Sequence, residues 1–591
     1  MEENTNKNHK AEPGHKQTIL RTDGTTSASS NPISRYAELH AHSNYSFQEG
    51  ASEIWDLLLT AKNIGLKAMA ITDHDNITGA MEFSQAAKEL GIKPIIGVEI
   101  TLSRGLSEPS GTKHLPPNQP HITLLAETAI GYKNICRLTT RAHVDAEERK
   151  YPNLDPIVLK KHSQGIICLS GCRQGEISRL VDNGDFESAR HAASKYLNIF
   201  GKEYFFMELQ QNLVMGDLQR NQNMAKLAND LGVGIVATNN VHYHIRNRHR
   251  LNDSLIAIKH NKSLEASHRE RRPNDQFFLK SAEEMSALFK TLPEAITNTT
   301  KIADRCDFDI TSNSIYDFPS YEFLPPGHTE SSYLRKICEE AAVRRYGSLK
   351  TNVVTRLDRE FALLEKHQLI GFVLQYYDII KIAREVQEDL GLVEPGLPIE
   401  EDPPGRGRGS SVALLTGYLT GLSHIDPLKF GLRLDRFLPE TYDGEKLPPP
   451  DIDLDFPREI RTELILRVHE RWGYERAVLT GMISTYRTRG AIRDLGKALG
   501  IAHDDLIRIN KHIDGQNPIT DLTKEMTELP EFQDQIDAPV WHMLLELAQE
   551  LNHFPKYLAQ HPSGMILSAK PLSETVPLQR SAIDGRYICQ W

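Results

Sequence analysis

Strict alternation of polar and apolar positions marks the segment Pro450-Asp451-Ile452-Asp453-Leu454-Asp455-Phe456. A period of two is that of a strand, so Asp451, Asp453 and Asp455 are expected on one face and Ile452, Leu454 and Phe456 on the other. Just beyond, the period lengthens: Ile460, Leu464 and Val468 recur at helical spacing, with Arg458, Arg461, Arg467 and Arg471 off that stripe. In the first half of the chain, short apolar runs end at Ile71-Thr72-Asp73-His74-Asp75 and Gly97-Val98-Glu99. Further runs cover His121 to Leu125, Ile166 to Cys172 and Val236 to His242, and helix-like stretches such as Ile54 to Ile64 and Met81 to Leu90 intervene. Alternating strands and helices predict a parallel sheet whose strand-end residues converge as in a barrel. Helical patterns over Tyr333 to Arg345 and Arg356 to Leu390 precede the Pro-rich stretch Val393 to Pro404, which reads as a loop.

Composition narrows the class. At 591 residues the chain can bury several cores, and two to four domains is the expectation. Residues 1–34 are polar and read as a disordered tail. A net charge of −10 argues against uniform coating of DNA, so any nucleic-acid contact falls to local arginine clusters. Six cysteines and no apolar leader predict a cytoplasmic protein, and no apolar run reaches membrane-spanning length. Cys168 and Cys172 form no CxxC pair of the zinc-ribbon kind.

Three acids stacked about 7 Å apart along a strand repel unless a cation sits over them, and oxygen-only ligands suit magnesium or manganese. The alternative is a solvated acidic edge strand. Upstream, Gly405-Arg406-Gly407-Arg408-Gly409-Ser410-Ser411 runs into the apolar stretch Val412 to Leu415, read as a glycine turn opening a helix and suited to a polyphosphate. A flexible basic loop is the alternative. Downstream, Thr485 to Lys497 is locally basic; Arg487, Arg489, Arg493 and Lys497 suit backbone phosphates, and Tyr486 could stack on a base or sugar. A solvated helix face is the plainer reading.

Gly407-Arg408-Gly409-Ser410, Leu434-Asp435-Arg436-Phe437-Leu438, the Asp451 to Asp455 strand and Ile492-Arg493-Asp494-Leu495-Gly496 together resemble the palm of bacterial C-family DNA polymerases, the alpha subunits of DNA polymerase III. Ile483 to Arg489 and Tyr557 to Gly564 most resemble the error-prone branch. The resemblance implies two-metal nucleotidyl transfer to a primer 3′ end, with Asp451 and Asp453 holding Mg2+ and Asp455 an adjacent acid. It implies Arg408, Gly409, Ser410 and Arg436 at the incoming nucleotide. Primer-template DNA, deoxynucleotides, a carboxy-terminal polymerase chain and a sliding clamp are the partners it implies. After Ser411 the family continues with small residues, where this chain has Val412, Ala413 and Leu414. The family's third catalytic aspartate follows the motif that Tyr587 to Trp591 begins, so the site is expected to be incomplete in this chain alone.

The first half resembles a PHP domain, a metal-dependent phosphoesterase module. Matching positions are His40, His42, Glu49, His74, Glu99, His121, Cys172, Asn240 and His242, a mixed donor set for zinc, manganese or iron. Asn240 stands where an aspartate is usual, weakening one subsite. The implied architecture is α/β and multidomain: a PHP-type distorted (β/α)7 barrel over residues 35–290, then a nucleotidyltransferase-like α+β palm with a helical lead-in over 291–483. A helical thumb over 484–556 and a palm return over 557–591 complete it. Two competing expectations are a phosphoesterase acting through the PHP site alone and a non-catalytic DNA-binding fragment of a split polymerase.

Overall fold

The computed structural model describes residues 35–109, 111–112, 114, 119–312, 320–439, 452–512 and 538–590; the tail read at 1–34 and Asp451 lie outside them. Residues 35–591 form one compact unit. Six strands make the first sheet in sequential order: β1 (Ala68–Ile71), β2 (Lys93–Thr101), β3 (His121–Ala126), β4 (Ile166–Leu169), β5 (Phe205–Gln210) and β6 (Gly234–Thr238). A further extended segment closes the ring. Glu38 bridges Met69 of β1, and Ala41 bridges Val241 just after β6. Backbone hydrogen bonds Ala70 N–H to Glu38 O and His42 N–H to Val241 O, both 2.8 Å, zip the two seams. Seven extended segments therefore surround the barrel core.

The sheet is not wholly parallel, as the alternation had predicted: β3 runs antiparallel to both β2 and β4. Side-chain period is the same in either direction, so the pattern carried no information on this point. The reversal has a consequence for chemistry. His121, the first residue of β3, lies at the rim where the parallel strands end. The apolar core takes in Leu57, Phe83, Val98, Ile135 and Leu209, together with Ile296, Ile302 and Ala303 from the helix Pro293–Arg305, beyond residue 290.

The long helical pattern Arg356 to Leu390 is two helices, Thr351–Lys366 and Ile370–Asp389, broken where Gln368 takes a left-handed φ of 57°. Next come β7 (Arg406–Arg408) and β8 (Asp453–Asp455), an antiparallel pair. The remaining strands are β9 (Ala477–Thr485), β10 (Pro555–Leu567), β11 (Leu578–Arg580) and β12 (Tyr587–Cys589), in the order β10-β9-β12-β11. Between β9 and β10 lie helices Thr488–Ala498, His503–His512 and Pro539–Leu551. Their apolar faces share a core with the barrel side: Ile492, Leu495, Trp541 and Leu544 cluster with Ala51, Tyr243, Leu251 and Phe277.

Candidate functional site

Glu99, on β2 and 3% exposed, is the hub of the barrel rim. His40 Nε2 and His121 Nδ1 each lie 3.5 Å from its Oε1, while His42 Nε2 at 3.5 Å and His74 Nε2 at 3.8 Å face its Oε2. Cys172 is buried beside it: burial, then the Glu99 charge, pushes the thiol well above its usual range. His40 and His42 sit on the closing segment, His74 follows β1, Glu99 and His121 lie on β2 and β3, Cys172 follows β4 and Asn240 follows β6, so six stretches of backbone deliver the cluster. Asp75 and Asn240 adopt left-handed φ of 54° and 48°, a conformation Asp and Asn tolerate better than most residues.

The hydrogen bonds fix which atoms face inward. His40 Nδ1 meets Glu208 Oε1 at 2.6 Å, and His74 Nδ1 meets Asp75 Oδ2 at 2.8 Å, so both rings turn Nε2 toward Glu99. Ser46 gives its proton to Asp73 Oδ1 at 2.7 Å and therefore accepts from His42 Nδ1 at 3.0 Å. His42 Nε2 is left with a lone pair, 3.1 Å from Asn240 Oδ1 and 3.5 Å from Glu99 Oε2. Three lone-pair atoms converging this closely repel one another unless a cation lies between them. His40 Nε2 and Glu99 Oε1 are buried without a hydrogen-bond partner among the described residues. Burial drives His40 down, but the carboxylates of Glu208 and Glu99 outweigh it and lift it to about 10; burial holds His42 neutral, at about 3. The donor set fits a metal, with Glu208 and Asp75 orienting its histidines from behind. Two groups have ligand atoms close enough to share an ion: His40, His42 and Glu99, and His74, Glu99 and His121.

Glu49 is differently placed. Lys259 Nζ contacts its Oε1, and Arg272 Nη2 lies 3.8 Å from its Oε2.

At the second candidate site, β8 presents Asp453 and Asp455 on an exposed face above buried Ile452. The register pairs Arg408 with Asp453 and Arg406 with Asp455. Arg408 nonetheless reaches diagonally to Asp455, with Nε to Oδ2 at 2.6 Å and Nη2 to Oδ1 at 3.1 Å. Asp453 makes no ion pair among the described residues. The Gly-Arg stretch is a strand followed by a 3-10 turn, Gly409–Ala413, and a five-residue helix, Leu415–Leu419, rather than a glycine turn opening a long helix. Gly407 donates its N–H to Leu422 O at 2.8 Å; a Cβ there would stand 2.3 Å from that oxygen. Buried Glu360 accepts from Leu415 and Thr416 N–H at 2.7 and 2.9 Å, pinning the segment that carries exposed Ser410.

The PHP domain family matches residues 38–212, and the bacterial DNA polymerase III alpha NTPase domain family matches residues 332–591. The chain joins a PHP domain to a DNA polymerase III alpha NTPase domain. An error-prone DNA polymerase from Symbiobacterium thermophilum is 32% identical over 94% of this chain and 49% of its own length. DNA polymerase III subunit alpha from Borreliella burgdorferi is 30% identical over 94% of this chain and 47% of its own. The chain thus spans about half the length of the curated relatives it matches. An amidohydrolase from Chromobacterium violaceum is similar over 35% of this chain and 87% of that one, at 14% identity and a TM-score of 0.23.

In the polymerase-type domain, Arg489, Arg493 and Lys497 fall on one exposed face of the helix Thr488–Ala498, with exposed Arg487 just before it. Arg493 pairs with Asp494 at 2.9 Å. Tyr486 is 1% exposed, takes a hydrogen bond from Gln48 of the PHP domain at 3.1 Å, and lies under Lys556, so it offers no face to a base. Arg467 and Arg471 are bound to Asp389 and Asp378. The backbone of Arg436 lies in a short 3-10 turn, Leu434–Arg436. Sequence reading missed Glu208, Asp73, Asp75 and Glu360. Glu208 had a signal, a lone carboxylate inside the apolar run Phe205 to Leu209. Lys259 and Arg272 had none.

No described helix is long and apolar enough to cross a membrane.

Proposed function

We propose that this chain supplies the palm of a template-directed DNA polymerase, binding primer-template DNA and deoxynucleotides. The supporting observation is the β7–β8 pair, which sets Arg408 and the Gly409-Ser410 turn beside the acidic strand. Magnesium held by Asp451 and Asp453 would polarise the phosphoryl group and the primer hydroxyl. The chain's own part is positional. Gly407 lets the turn pack against Leu422, and Arg408 neutralises Asp455, leaving Asp453 as the described acid open to a cation. Gly409 and Ser410 stand at the nucleotide, joined by Arg436, while Arg487, Arg489, Arg493 and Lys497 track the DNA backbone. The wording of Ile483 to Arg489 and Tyr557 to Gly564 favours the error-prone branch. Primer extension tests this, with the chain alone and mixed with the carboxy-terminal half of a relative. Extension with Mg2+ is expected to vanish in Asp453→Asn. Extension that survives that substitution, or none from either mixture, overturns the reading.

A second activity has its own support. The Glu99-centred cluster fits zinc or manganese held by His40, His42, Glu99 and Asn240, and by His74, Glu99, His121 and Cys172, suiting phosphoester hydrolysis. A metal there would acidify water at neutral pH. Phosphodiesterase turnover should be lost in His42→Ala and kept in Asp453→Asn; turnover that survives His42→Ala sinks the proposal.

A further inference from the structure

Glu49 and His242 are the two candidate ligands that the Glu99 cluster does not absorb. His242 is 1% exposed and stacks on His42 with ring centroids 4.4 Å apart and planes 10° from parallel. Arg272 Nη2 lies 3.3 Å from His242 Nδ1. A guanidinium only donates, so His242 Nδ1 accepts, and the neutral ring then carries its proton on Nε2. His242 Nε2 is buried with no hydrogen-bond partner among the described residues, but in this tautomer it carries the proton and not a lone pair, so neither nitrogen offers a metal an electron pair. The same guanidinium lies 3.8 Å from Glu49 Oε2, while Lys259 contacts Oε1. The helix His249–Lys259 that carries Lys259 also holds the Glu49 backbone, through Asn252 to the Glu49 carbonyl. One carboxylate with two cations against it has no net negative charge left to attract a divalent ion, and Asn240, two positions before His242, is an amide that adds none.

We infer that Lys259 and Arg272 occupy the Glu49–His242 subsite in place of a metal, so that metal loading in this barrel is confined to ligands gathered around Glu99. The inference rests on the reading of the barrel rim as a metal centre. The two protein cations supply fixed positive charge where a third ion would sit, at no cost in metal supply. Arg272 also lines a solvent-side cleft of about 440 Å³ together with His249, Asp253, His268, Arg271 and Asp275, so it faces both the cleft and the cluster.

The test is metal stoichiometry of the full chain after dialysis against Mn2+ or Zn2+, read by elemental analysis. Glu49→Gln is expected to leave the wild-type count unchanged, and Lys259→Met with Arg272→Met is expected to add one equivalent per chain. Lys259→Arg should keep the wild-type count, with thermal melts confirming that each variant is folded. A wild-type count that drops by one in Glu49→Gln overturns the inference alone. An unchanged count in a folded double variant also overturns it. Metal absent from the wild type and the double variant alike overturns the metal-centre reading, and the inference falls with it.

Discussion

Single residues decide both candidate sites by what they exclude. At Gly407 a methyl group would stand 2.3 Å from Leu422 O, inside any real contact, so Gly407→Ala must push β7 off its neighbour. Primer extension should fall at least tenfold in that variant, while the thermal midpoint of the barrel is little changed. Asp494 is held low: burial raises it, but hydrogen bonds from Arg493 and Lys556 outweigh burial. A carboxylate lowered in the fold stabilises above its unfolded value near 3.8, and that stability is lost as pH falls through the lowered folded value. Asp494→Asn should therefore melt earlier than wild type at pH 7 and converge with it as the pH drops below 3.8, measured by pH-dependent thermal denaturation. Legibility at this scale followed chemistry. Acids at every second position revealed Asp453 and Asp455, and histidines at run ends revealed the rim. Tyr486 misled because an aromatic among arginines reads the same whether it faces solvent or, as here, a neighbouring domain.

At the scale of elements, pattern gave position but not direction. The apolar runs located β1 to β4 and β6 but passed over β5, and β3 reverses, which only the backbone pairing of Thr101 with His121 reveals. The Gly-Arg stretch looked like a helix opening because Val412 to Leu415 is apolar; Leu414 and Leu415 are apolar because they share a core with Leu357 and Phe361. The helix Thr488–Ala498 separates its faces cleanly, with Ile492 and Leu495 inward and Arg489, Arg493 and Lys497 outward. If that outward face meets DNA phosphates, each cation removed should flatten the dependence of log affinity on log salt by about 0.9. Arg489→Ala with Lys497→Ala should show this in fluorescence anisotropy titrations across salt; an unaltered slope would place the DNA elsewhere.

For the whole molecule, the shared core between the barrel and the helical insertion is the dominant fact. Leu495 and Leu544 are buried with Tyr243 and Leu251, and Leu264 N–H bonds Ala498 O at 2.8 Å. Ion pairs Arg248–Glu550 at 2.9 Å and Arg137–Glu574 at 2.6 Å add directional contacts between distant stretches of chain. Leu495→Ala should cost about 2–5 kcal/mol, as large-to-small core changes do. Because the core is common, hydrogen exchange should quicken in the helix His249–Lys259 as well as in the substituted helix; protection lost in the latter alone would mean the two parts unfold independently.

The seam that closes the barrel carries a kinetic consequence. Asn240 and His42, which meet across it, are 198 positions apart in sequence. Joining ends that distant is slow because chain entropy must be surrendered before any contact rewards it. While the ribosome is still adding residues up to β6, the segment holding His40 and His42 has a partner on its β1 side only, with its other edge bare. The nascent chain thus spends a long interval with one unsatisfied strand edge, which is where a chaperone or an aggregation partner would first find it.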